Sequence, residues 1–129
     1  NEYGQCCSSD ILYGRVRERI MDNIPNLTDE ERSRVLLVIC IHEIECWLLP
    51  LYYDDNKRCK TTQCVKYLND ALIKNKIHPL SDGNKNSPEA RRTYNTILKK
   101  LRKPADIEDY AQYNFGFSQF VNQLRRLLD

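Results

Sequence analysis

Glycine is scarce in this chain: four residues in 129, beside one tryptophan and one methionine. That scarcity argues against a phosphate-cradling glycine loop, and no serine is flanked by the glycines of a nucleophile elbow. A charge excess is missing too. Twenty Lys and Arg against 18 Asp and Glu leave a formal charge of +2, too balanced to indicate a nucleic-acid partner from net charge alone. No apolar stretch approaches the ~20 residues of a membrane span. The longest, residues 35–41, ends abruptly in His42-Glu43-Ile44-Glu45, with the only tryptophan, Trp47, just beyond. Internal repeats and low-complexity tracts are absent. The chain opens on Asn1 rather than Met, which reads as a processed or partial start.

What remains is a chain of ordinary composition, 41% apolar and 29% charged, sufficient for one modest domain with one core. Six cysteines stand at 6, 7, 40, 46, 59 and 64. An even count suits the disulfide framework of a small secreted domain. Against it, Cys40 lies inside the apolar run, where a free thiol behaves as a small hydrophobe, and the amphipathic segments can build a core unaided. The cysteines are therefore read as thiols and the protein as cytoplasmic, with a secreted cysteine-stabilised helical protein as the weaker alternative. Cys40-x-His42-x3-Cys46 and Cys59-x4-Cys64 hold zinc-ligand residue types, but their spacings are not paired short knuckles, and zinc is not expected.

Residues 1–8 read as a loose polar end. Ser8 or Ser9 caps a helix over about 9–24, with Leu12, Val16, Ile20 and Ile24 on one face. Pro25-Asn26 breaks it, and Thr28-Asp29-Glu30-Glu31 is a capping box. The β-branched run at 35–41 predicts a strand covered on both faces, followed by a helix at 43–52; a single helix over 28–49 is the other reading. Asp54-Asp55-Asn56-Lys57 is a turn. Thr61 or Thr62 caps a helix to about Lys74, burying Val65, Leu68 and Leu72. Residues 75–87 form a loop. Ser87-Pro88 opens a helix whose stripe is Tyr94, Ile97, Leu98 and Leu101, and Pro104 stops it. A short helix at 105–113 follows, then a last one at 115–128 that buries Phe117, Phe120, Val121, Leu124 and Leu128. No second strand is evident, so the sheet is expected to be completed from outside this chain.

The candidate site is the junction at 42–45. Carboxylates at the carboxyl end of a strand are natural hard-oxygen ligands for Mg²⁺ or Mn²⁺, which makes Glu43 and Glu45 candidate metal residues. The competing reading places Glu43 in the first turn of a helix, offsetting its dipole. Arg91, Arg92, Lys99, Lys100, Arg102 and Lys103, with the Arg125-Arg126 pair, are candidate phosphate contacts, or else the solvated faces of amphipathic helices.

His42-Glu43-Ile44-Glu45-Cys46-Trp47-Leu48-Leu49 resembles the segment that follows a core strand in toprim-like uncharacterised bacterial proteins. Those are relatives of the RloB-like and OLD-type nuclease groups linked to phage defence. Residues 87–101 and the Asn114-Phe115-Gly116-Phe117-Ser118-Gln119-Phe120 segment are similar to that family's later helices. The resemblance implies an α/β, helix-rich, Rossmann-like fold with one strand here, about 35–41, and five to six helices. It also implies a metal-dependent nucleic-acid-processing activity. The family's early glutamate and Asp-x-Asp pair have no counterpart, since Asp54-Asp55 is adjacent rather than spaced. The expectation is thus a single domain over 1–129, incomplete on its N-terminal side and inactive alone, that meets nucleic acid and a missing segment or partner chain. The alternatives are an all-α bundle and a non-catalytic helical protein-interaction module.

Overall fold

The computed structural model describes residues 9–81 and 83–129. Expectations for residues 1–8, including a Ser8 cap and the Cys6-Cys7 pair, lie outside them. Helix α1 spans Ser9–Asp22 and α2 spans Asp29–Ser33. A 3-10 helix runs over Ile44–Leu51 and another over Asn56–Cys59. Then come α3 (Cys64–Lys74), α4 (Pro88–Leu98) with a 3-10 extension Lys99–Leu101, α5 (Pro104–Ala111) and α6 (Phe115–Leu128).

Local chemistry sets most of these boundaries. Thr28 accepts from Glu31 N while Thr28 N donates to Glu31 Oε2, the reciprocal capping box. Ser87 Oγ accepts from Ala90 N, with Pro88 in the first turn of α4. Asn114 caps α6 through Phe117 N at 3.1 Å. Pro104 does not only stop the preceding helix: it opens α5, because the ring's missing N–H is not needed at a helix start.

The α/β expectation is overturned: among the described residues there is no strand and no sheet, and the all-α alternative holds. Residues 35–40 belong to no regular element, and their partner is a helix. Gln123 of α6 turns its carboxamide onto Leu37, with Oε1 accepting from Leu37 N and Nε2 donating to Leu37 O, both at 3.0 Å. A neighbouring strand would offer Leu37 the same donor and acceptor. Gly116 adds close approach, since a Cβ there would lie 2.5 Å from Ile39 O. Ile39 and Ile41 are buried while Val38 is half exposed, so the run retains the two-residue alternation of extended chain.

Ile39, Ile41 and Tyr13 form a small core, with Val16, Leu37 and Phe115 packed on it. Tyr13 meets Phe115 edge to face at 5.3 Å. The buried face of α1 is therefore rotated from the expected stripe: Tyr13 is inside, while Leu12 and Ile20 are exposed. The main core is built on the 3-10 helix 44–51. Trp47, Leu48, Leu49 and Leu51 pack with Val65, Leu68, Leu72, Leu80, Ile97 and Phe117. Trp47 stacks on Phe117 at 4.8 Å. Leu98 and Leu128, expected inside, are exposed. No helix among the described residues is long and apolar enough to cross a membrane.

Candidate functional site

At the end of the apolar run the backbone turns sharply. His42 adopts φ 67°, and Glu43 N bonds back to Ile41 O at 3.0 Å. This aims the exposed His42 away and sends Glu43 and Glu45 to different tasks. Glu43 does not cap its own 3-10 helix. Its Oε2 accepts from Cys64 N at 3.0 Å and Val65 N at 3.3 Å. These are first-turn amides of α3, whose preceding residue Gln63 is left-handed and makes no side-chain cap. The expected cap at Thr61 or Thr62 is thus supplied from 21 residues away. A carboxylate at that position satisfies orphan donors and offsets the helix dipole.

Glu45 is fully buried. Its Oε1 accepts from Tyr94 Oη at 2.7 Å and pairs with Lys85 Nζ at 2.7 Å; Oε2 has no hydrogen-bond partner among the described residues. Burial alone would raise the carboxyl pKa. The bonds from Lys85 and Tyr94, with the lysine's charge, outweigh it and hold the pKa below its ordinary value. Burial and the bond to Glu45 push the Tyr94 hydroxyl well above its usual value, so it stays a donor. Burial, then the Glu45 charge, also raises the Cys40 thiol. Sequence reading named Glu45 but missed Lys85 and Tyr94, which lie 40 and 49 positions away.

Cys46 and Cys64 are joined as a disulfide, both fully buried, between the 3-10 helix 44–51 and α3. This corrects the expectation that these cysteines are unpaired; Cys40 is a half-buried thiol. One group with metal-ligand chemistry occurs among the described residues: Glu43, Cys46 and Cys64, with ligand atoms within 4.8 Å of one another. Glu45 is not part of it. For Mg²⁺ or Mn²⁺, which prefer all-oxygen shells, the donors do not fit, since two of the three are sulfur and Glu45 is engaged by Lys85 and Tyr94.

No family, curated protein or solved structure matches the chain. Arg91, Arg92, Lys99, Lys100, Arg102 and Lys103 are all exposed. Lys100 lies over the Tyr52 ring at 4.2 Å, and Arg92 lines a cavity of about 300 Å³ with Lys76, His78, Glu89 and Thr93. A second cavity, about 280 Å³, lies where α1, α2 and α6 meet; Arg17, Arg32, Ser33, Val35, Arg126 and Leu127 are among its walls. None of these three arginines forms an ion pair among the described residues. Sequence reading singled out Arg126, as part of the Arg125-Arg126 pair, but did not bring the three together, because they are 15 and 94 positions apart.

Proposed function

We propose that this chain is a non-catalytic helical interaction module that receives an acidic segment of a partner protein in the cleft between α1, α2 and α6. The observation that carries the reading is the convergence of Arg17, Arg32 and Arg126 on one cavity beside Val35 and Leu127. Like charges gathered without an ion pair of their own repel one another, and an anionic guest relieves that repulsion. Guanidinium forks suit carboxylates, while the apolar wall suits an aliphatic neighbour. Leu128, 83% exposed, extends the apolar surface of α6. Both carboxylates of the junction are engaged structurally, Glu43 at a helix start and Glu45 in a buried ion pair, which favours this reading over a nuclease-like one. Residues 45–51 are buried in the core and offer no docking face of their own.

A fluorescein-labelled peptide of Asp, Glu and Leu, titrated with the chain and followed by polarisation, tests this. We expect saturable binding, weakened at least ~30-fold by the double reversal Arg17→Glu/Arg126→Glu, at roughly 1 kcal/mol or more per lost charge pair, with an unchanged far-UV spectrum. Labelled single-stranded DNA of similar charge should bind more weakly. Tighter DNA binding lost in the same variant, or Mg²⁺-dependent cleavage by the chain abolished by Glu43→Ala, would overturn the reading.

A further inference from the structure

The Glu43, Cys46 and Cys64 cluster carries a second inference, independent of the arginine cleft. We propose that it is a redox-gated zinc site. The oxidised chain holds the Cys46–Cys64 disulfide there, and the reduced chain holds a zinc ion on the two thiolates and the Glu43 carboxylate.

The three ligand atoms already lie within 4.8 Å of one another. They come from two elements packed together: Cys46 from the 3-10 helix 44–51 and Cys64 from the first position of α3, with Cα atoms 5.0 Å apart. Zinc holds thiolates at about 2.3 Å, so two sulfurs on one ion stand about 3.8 Å apart, and reduction needs only a small opening. Both cysteines are fully buried, so the scaffold restrains where the sulfurs go.

Donor chemistry selects the ion. Two thiolates and a carboxylate suit a borderline-soft ion such as zinc, and Mg²⁺ or Ca²⁺ poorly. The Cys64 thiolate would sit at the start of α3, where the helix dipole favours the anion. Glu43 keeps Oε2 on the amides of Cys64 and Val65, leaving its other oxygen for the metal. The carbonyl oxygens of Lys60 and Thr62 lie 3.6 and 3.7 Å from Cys64 Sγ, so further oxygen donors stand beside the cluster.

The balance is simple. A dithiol or phosphine reductant supplies two electrons, two protons enter, and the disulfide becomes two thiols while the reductant is oxidised. Zinc binding then displaces those two protons to solvent.

The full chain, reduced anaerobically with a phosphine and freed of reductant by gel filtration, is titrated with Zn²⁺ alone beside the untreated oxidised chain. We expect one zinc per reduced chain, a higher Tm for the reduced chain with zinc, and no comparable binding when oxidised. Co²⁺ in place of zinc should give a thiolate-to-metal charge-transfer band. Cys64→Ser should lose zinc and band, while Cys40→Ser keeps both. Glu43→Gln, which keeps an acceptor for the α3 amides but no anionic ligand, should bind zinc more weakly with helix content unchanged. Equal binding by reduced and oxidised chains, a cobalt complex without the thiolate band, or retention by Cys64→Ser would overturn the proposal. Should Cys64→Ser not fold, the wild-type redox comparison and the cobalt band decide.

Discussion

Replacing Glu45 with alanine would leave the Lys85 ammonium without its counter-charge and the Tyr94 hydroxyl without its acceptor. Lys85 is 43% exposed at its side chain and can return to water, which places the expected loss near the lower end for a broken buried pair, about 2–3 kcal/mol. Chemical denaturation of the variant checks it. The same residue sets an acid limit. Glu45 has its pKa lowered in the folded chain, so its contribution is complete above the unfolded carboxyl pKa, ~4.3, and is lost as pH falls through the lower folded value. Tyr94 sets the opposite limit: its raised pKa gives stability that is full below ~10 and declines as pH rises above that. Denaturation midpoints measured across pH should thus fall at both ends, and Glu45→Ala should flatten the acid side. That the acids at 43 and 45 mattered was legible from two carboxylates at the end of an apolar run. Which groups they bind was not, because Lys85, Cys64 and Val65 carry no local signal of the pairing.

At the scale of elements, the segment 35–41 is the most instructive. Its β-branched residues favour a strand, yet residues 35–40 form no regular element. Its hydrogen bonds go to a side chain of α6 and not to a strand. Gln123→Met would keep much of the volume and remove the bonds to Leu37 N and Leu37 O. The expected cost is about 1–3 kcal/mol, the range for stranding buried backbone groups, with faster amide exchange at Leu37 as the local readout. Elements bounded by their own caps were readable directly: Thr28 with Glu31, Ser87 with Pro88, and Phe115–Leu128 after Asn114. The start of α3 was not, since its cap arrives from Glu43, beyond any local window.

For the whole molecule, the Cys46–Cys64 bond ties the central 3-10 helix to α3 across 18 positions. By loop-closure reasoning, reduction should lower stability by about 3 kcal/mol, read as a shift in urea midpoint with and without reductant; no shift would show that the bond does not form. Taken by itself, the sequence determined the helix starts carrying their own caps, the apolar character of residues 35–41, and the buried stripe of Val65, Leu68 and Leu72. These follow from interactions within a few positions, where spacing alone decides which side chains meet. Only the tertiary structure decided that the fold is all-α among the described residues, that Glu43 and Glu45 serve separate partners, that two cysteines pair, and that Arg17, Arg32 and Arg126 share one cleft. Each of these depends on groups far apart in the chain, whose meeting is fixed by how helices pack and not by the order of residues.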